Sequence, residues 1–174
     1  MSNRKILDVW IFLRLRCSKE KTTIKNKSYE NCFICEEWND FEKFKIWYLK
    51  NYPKNVPKEI KFQIDKDLLQ QNKEIKIYGP DTCVFLPSRI NKFLVKPTKS
   101  NTKIRGVSYI KRDDKFLVYV KDFYTKKNKT VGYFKDIEKA KKKYTEEQTK
   151  INEIVKNYLK ELDYLPEEII ELIK

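Results

Sequence analysis

The chain has 174 residues, 40% of them hydrophobic and 37% charged, which is enough apolar material for one compact domain or two small ones and too much for a disordered tail. Its 39 Lys and Arg against 25 Asp and Glu give a formal net charge of +14 with no histidine, and so large an excess predicts attraction to a polyanion, nucleic acid first. No run approaches the roughly 18 consecutive apolar residues of a membrane span, and the opening MSNRKILDVWIFLRLRC is broken by charge before a secretory core forms. The expectation is a protein of a cytoplasm or nucleus, neither membrane-bound nor secreted, whose four cysteines are reduced thiols.

In chain order, residues 6–17 place Leu7, Trp10, Leu13, Leu15 and Arg16 on a short amphipathic helix, with Trp10 and Leu13 sharing a face. Residues 18–28 read as a loop and YENCFIC (29–35) as a short apolar knot. The segment EEWNDFEKFKIWYLKNY predicts one helix, with Glu36 and Glu37 in the first turn. Its stripe of Trp38, Phe41, Phe44, Trp47 and Tyr48 is assigned to core. Residues 53–60, with two prolines, form a linker.

From 64 to 91, two short strands leading into a helix are expected, because Gly79-Pro80 separates two apolar runs; Asp65 stands near one end and Asn91 near the other. The apolar pattern lapses over 96–103, the expected linker between domains. Beyond it IRGVSYIK, KFLVYVKDFY and KTVGYF predict three antiparallel strands, turning at Asp113-Asp114 and at KKN. A long helix capped by Asp136 follows, carrying Ile137, Ala140, Tyr144, Ile151, Ile154, Val155 and Tyr158 towards the sheet. Leu165-Pro166 ends it ahead of a short acidic tail.

Alternation along the middle strand puts Phe116, Val118 and Val120 on one face and Leu117, Tyr119 and Lys121 on the other. With the helix over the first set, Tyr119 and Lys121 are displayed, joined by Arg105, Lys111, Arg112 and Lys129; a basic, aromatic sheet face of this kind can enter a major groove of double-stranded DNA. The segment 104–144 resembles the plant ethylene-response-factor (APETALA2) type of DNA-binding domain at Arg105-Gly106-Val107, Lys115-Phe116, Val131-Gly132-Tyr133-Phe134 and Asp136 to Tyr144. The resemblance implies a sheet in the major groove with Arg105 on DNA. Where the plant domain has further arginines after RGV and a tryptophan ahead of the glycine, this chain has Ser108 and Thr130, so Ser108 enters the expected DNA-contacting set with a different base preference.

A ββα-metal site needs an acidic ligand on a strand, an asparagine or histidine ligand on the helix, and a base for the attacking water. Asp65 and Asn91 have ligand chemistry suited to magnesium or manganese. Residues 10–94 resemble phage-encoded homing-endonuclease-like proteins of the HNH class. The matches are Trp10, Leu13, Arg16 and Cys17; Tyr29, Cys32, Cys35, Glu37-Trp38, Phe41, Phe44 and Trp47; and Asp65-Lys66-Asp67, Tyr78, Pro80, Thr82 to Phe85, Pro87 and Ile90-Asn91. Lys150 to Leu172 resembles that family's tail. By this resemblance Lys66 stands where the family has its histidine, Asp67 is an alternative base or second ligand, and Asp81 falls where an asparagine ties the strands together. Cys32 and Cys35 have the spacing of a zinc knuckle that Cys17 and Cys83 could complete, against the reading of ordinary buried thiols.

The expectation is therefore an α+β chain. An HNH-like ββα-metal domain with aromatic helices spans 1–95, a linker 96–103, and a three-stranded antiparallel sheet on a long helix, with its tail, 104–174. A metal-dependent DNA endonuclease anchored by that sheet is the first functional reading, and a DNA-binding regulatory protein without cleavage activity is the second. The residues set no oligomeric state.

Overall fold

The computed structural model describes residues 2–18, 29, 31–94 and 100–174. The architecture is α+β, and the chain divides into two compact units, 1–88 and 89–174. The expected loop at 18–28 lies outside the described residues apart from Ser18, as do 96–99 of the expected linker.

The first unit opens with helix α1 (Asn3–Cys17), which buries Ile6 and Leu13. Strand β1 (Cys32–Ile34) follows, and then the aromatic segment, which is broken where a single helix was expected. Glu36–Asn39 forms a 3-10 turn, and helix α2 (Phe41–Asn51) starts afresh because the Asp40 carboxylate accepts from the N–H groups of Glu42 and Lys43 at 2.8 and 3.3 Å. The stripe still makes the core: Trp38 lies 5.0 Å from Phe44 edge-on, Trp47 stacks on Phe85 at 5.3 Å, and Tyr48 meets Phe85 at 4.9 Å.

Strands β2 (Phe62–Asp65), β3 (Lys76–Tyr78) and β4 (Val84–Pro87) complete this unit. The two strands flanking Gly79-Pro80 do not pair with each other. β3 runs parallel to β1, Cys32 opposite Lys76, whereas β4 runs antiparallel to β2, Asp65 opposite Val84. A tight hairpin needs positive φ in its turn. Gly79 is not in that region, and its tightness is one of packing: a Cβ there would lie 3.2 Å from Cys35 Sγ and 3.3 Å from Thr82 Oγ1.

Helix α3 (Ser88–Leu94) follows β4 directly and lies, from Arg89 on, in the second unit. There it is bound to the far turn of the sheet. Arg89 donates to the carbonyls of Phe123 (3.0 and 2.5 Å) and Tyr124 (2.6 Å), with its guanidinium 4.4 Å from the Phe123 ring, and Phe93 meets Phe123 edge-on at 6.0 Å. The sheet is β5 (Val107–Ile110), β6 (Lys115–Lys121) and β7 (Asn128–Phe134), antiparallel in that order, and it packs on helix α4 (Ile137–Leu162). Val107, Val118 and Ala140 form the buried centre, with Phe116, Phe134 and Tyr144 around it.

Asp136 caps α4 as expected, accepting from Lys139 N at 2.7 Å. The helix stops at Leu162, ahead of Leu165-Pro166, because Asp163 turns left-handed (φ 47°). Ile154 is exposed, while Asn152 and Leu159, outside the expected apolar stripe, are buried. A short helix α5 (Glu167–Ile170) folds back on α4, tied by Lys156–Glu171 and Lys160–Glu167, each 2.7 Å. Among the described residues no helix is long and apolar enough to cross a membrane.

Candidate nucleic-acid interface

Directly opposed residues of an antiparallel pair point to the same side of a sheet. Val107 lies opposite Val118 and Val118 opposite Gly132, on the side of α4; the row Ser108, Leu117, Tyr133 therefore points away from the helix. Ile110 opposite Lys115, Tyr119 opposite Thr130 and Lys121 opposite Asn128 extend the same face. The register shift between Val118 and Tyr119 marks a bulge on β7, where Val131 is skipped, while Val118 and Val120, two apart on β6, are both buried. Tyr133 is 57% exposed, Thr130 and Asn128 are exposed, and Ser108, Leu117 and Tyr119 are half-buried.

Lys115 and Lys121 bracket this face on the middle strand, six residues apart and so about 20 Å along it. That span exceeds the roughly 12 Å width of a major groove and lets both ammonium groups reach phosphates while the centre meets base edges. Residues 100–143 hold 14 Lys and Arg against 5 Asp and Glu, whereas residues 144–174 hold 4 against 8.

The expected DNA-contacting residues are not equivalent. Tyr119, Lys121 and Ser108 are on the open face, and Lys111 is exposed in the turn after β5. Arg112 is exposed but paired with Asp113 at 2.7 and 3.1 Å. Arg105 donates to the Phe93 carbonyl at 3.2 Å and lies beside Tyr144, at the margin of the sheet. Lys129 lies opposite Val120 and therefore points to the helix side, a correction to its expected place, because the bulge sets the parity of β7. Lys115, Asn128 and Tyr133 were not in the expected set. The parity of β6 was legible for Lys115, whereas Asn128 and Tyr133 needed the register.

The acidic step has a different character. Asp65 is only 7% exposed, and its Oδ1 accepts from the backbone N–H groups of Asp67 (3.1 Å) and Leu68 (2.7 Å), so it caps the short 3-10 turn Leu68–Gln70. Burial raises its pKa, against the lowering pull of the Leu68 N–H and with Asp67 adding to the rise. Lys66, 5% exposed, donates to both oxygens of Asp67 at 2.9 and 2.8 Å. Burial pulls its pKa down, but the Asp67 carboxylate more than offsets this and the net shift is upward, which keeps Lys66 a cation, not a base. Lys76 also approaches Asp67, at 3.8 Å.

Asp81 is exposed in the turn before β4 and does not tie strands together. Gln70 does, a residue the sequence did not single out. It is 2% exposed, and its amide donates to the carbonyls of Lys66 (2.7 Å), Ile77 (3.0 Å) and Thr82 (3.3 Å) while its oxygen accepts from Ile77 N (3.0 Å). Its sequence neighbourhood carries no signal of this, since the three segments it joins meet only in the fold.

Asp65 belongs to the first unit and Asn91 to the second. Within the first unit Asp67 is given to Lys66 and Lys76, and Oδ1 of Asp65 to two backbone N–H groups. Among the described residues no group of three or more Cys, Asp or Glu converges as a metal site. Among the described residues, Cys17, Cys32, Cys35 and Cys83 are in no disulfide. Burial, with Cys32 nearby, pushes Cys17 up to about 11, and burial pushes Cys83 up to about 12. Comparison of the chain with protein-family models, with curated proteins and with solved structures gives no match.

Proposed function

We propose that this protein binds double-stranded DNA through the open face of the β5–β6–β7 sheet, in the cytoplasm or nucleus of a host cell. The observation that carries the reading is the Ser108–Leu117–Tyr133 row on the side of the sheet away from α4, bracketed by Lys115 and Lys121, within a segment whose basic excess is not neutralised locally. The lysines supply sequence-independent affinity through release of counterions, and the rows between them meet base edges. Fluorescence anisotropy with a labelled duplex from low to moderate salt tests it. Affinity is expected to fall steeply with salt, and Lys115→Ala and Lys121→Ala each to reduce the log–log slope by about 0.9. Salt-insensitive binding, or none, would sink the proposal.

The second reading is HNH-class cleavage of DNA with magnesium or manganese. Its support is the order β2, β4, α3, with Asp65 at the end of the first strand of that pair and Asn91 on the helix. Supercoiled plasmid incubated with either ion, beside Asp65→Ala and Asn91→Ala, decides it. Nicking by the unmodified protein that both variants lose supports cleavage. No nicking with either ion leaves a DNA-binding protein without that activity.

A further inference from the structure

We propose that the centre of the open sheet face reads thymine-rich duplex DNA by contact with the thymine 5-methyl group, with Leu117 as the contact residue; this rests on the DNA-binding reading above. Leu117 is one of the two open-face residues, with Tyr119, that lie between Lys115 and Lys121 on the middle strand, and it is flanked across both ladders by Ser108 and Tyr133. It is not part of the core between sheet and helix and is half-buried on the opposite side. A branched apolar side chain at the centre of a face rimmed by lysines has an apolar partner in a major groove, the thymine methyl.

The neighbours of Leu117 agree. Ser108, Thr130 and the Tyr119 and Tyr133 hydroxyls both donate and accept, so they accompany any base pair without selecting guanine. Arginine, the side chain that pairs with guanine O6 and N7, stands outside these rows: Arg105 is bonded to the Phe93 carbonyl and Arg112 to Asp113. Asn128, opposite Lys121 and exposed, presents the amide that pairs with N6 and N7 of adenine. An apolar centre, hydroxyl flanks and a terminal amide together favour A·T over G·C pairs.

The experiment selects duplexes from a randomised pool with the full chain. It then measures affinity for the preferred duplex, for the same duplex with deoxyuridine in place of thymidine, and for a G·C duplex of equal length. Enrichment of A·T pairs is expected, with about a 4-fold loss of affinity for each contacted methyl removed. Leu117→Ala is expected to bind the thymidine and deoxyuridine duplexes equally, with an unchanged melting transition. Lys121→Ala weakens both equally while keeping the thymidine preference, which separates phosphate contact from methyl reading. Binding with a G·C consensus, or equal affinity of the unmodified protein for thymidine and deoxyuridine, overturns the inference and leaves DNA binding intact. Absence of any binding overturns both.

Discussion

Replacing Gln70 by alanine isolates the contribution of one amide to the first unit. Gln70 joins the segment after β2, strand β3 and the turn before β4 by two amide N–H groups shared among three carbonyls and by one accepted bond, the contact with Thr82 being the longest at 3.3 Å. Thr82 Oγ1 also donates to the Ile77 carbonyl at 2.7 Å, so that carbonyl keeps a partner in the variant. Counting the remaining bonds at about 1 kcal/mol each, with a small term for the emptied space, the loss is about 3 kcal/mol. For a unit of 88 residues this lowers the melting midpoint by roughly 12–24 °C. Trp10, Trp38 and Trp47 all lie in that unit, so tryptophan fluorescence follows it selectively, while circular dichroism follows both. A fluorescence midpoint moved by less than about 4 °C would mean that the strands are held in place by the aromatic core alone and that the amide is dispensable.

Gly106 has φ 70°, and a Cβ there would lie 2.1 Å from the Tyr144 ring and 2.6 Å from the Tyr119 carbonyl; Gly106→Ala is expected to cost at least about 2 kcal/mol by chemical denaturation, and a neutral result would refute the left-handed turn before β5. Asp65→Asn keeps an oxygen for the two N–H groups and removes a buried charge. Because the folded pKa of Asp65 is raised, its stabilising contribution is present below the ordinary carboxylate range and lost as pH rises through the raised value. The variant should thus exceed the native protein in stability at neutral pH, with the gap closing in acid; a gap that widens in acid would reverse the sign of the shift. Arg89→Ala removes the bonds to the Phe123 and Tyr124 carbonyls and the ring contact. It should speed amide exchange across residues 121–128 by about 10-fold or more, whereas unchanged exchange there would show that α3 is held by Phe93 alone.

Much of the second unit was legible from residue order because its determinants are local. Strand alternation in KFLVYVK, turn residues at short spacing and a capping aspartate each act within a few residues, and the three strands are consecutive in sequence and in the sheet. Even there, Lys129 was misplaced by one parity step, since a bulge leaves no clear mark in sequence. In the first unit the same signals misled. Gly79-Pro80 reads as a hairpin turn, yet β3 and β4 take partners 44 and 19 residues away, at Cys32–Lys76 and at Asp65 opposite Val84 by way of an excursion closed through Gln70.

By itself the sequence determined the α+β class, the element types of the second unit, the aromatic core of the first and the basic excess of residues 100–143. These follow from side-chain period, burial tendency and charge count, which are properties of each segment. Tertiary structure decided which strands pair and which way each side chain points. It also decided that Lys66 is kept charged by Asp67, while Asp65 is turned to its own backbone. Those outcomes depend on distances between segments far apart in the chain, where a few ångströms separate a salt bridge from a catalytic base.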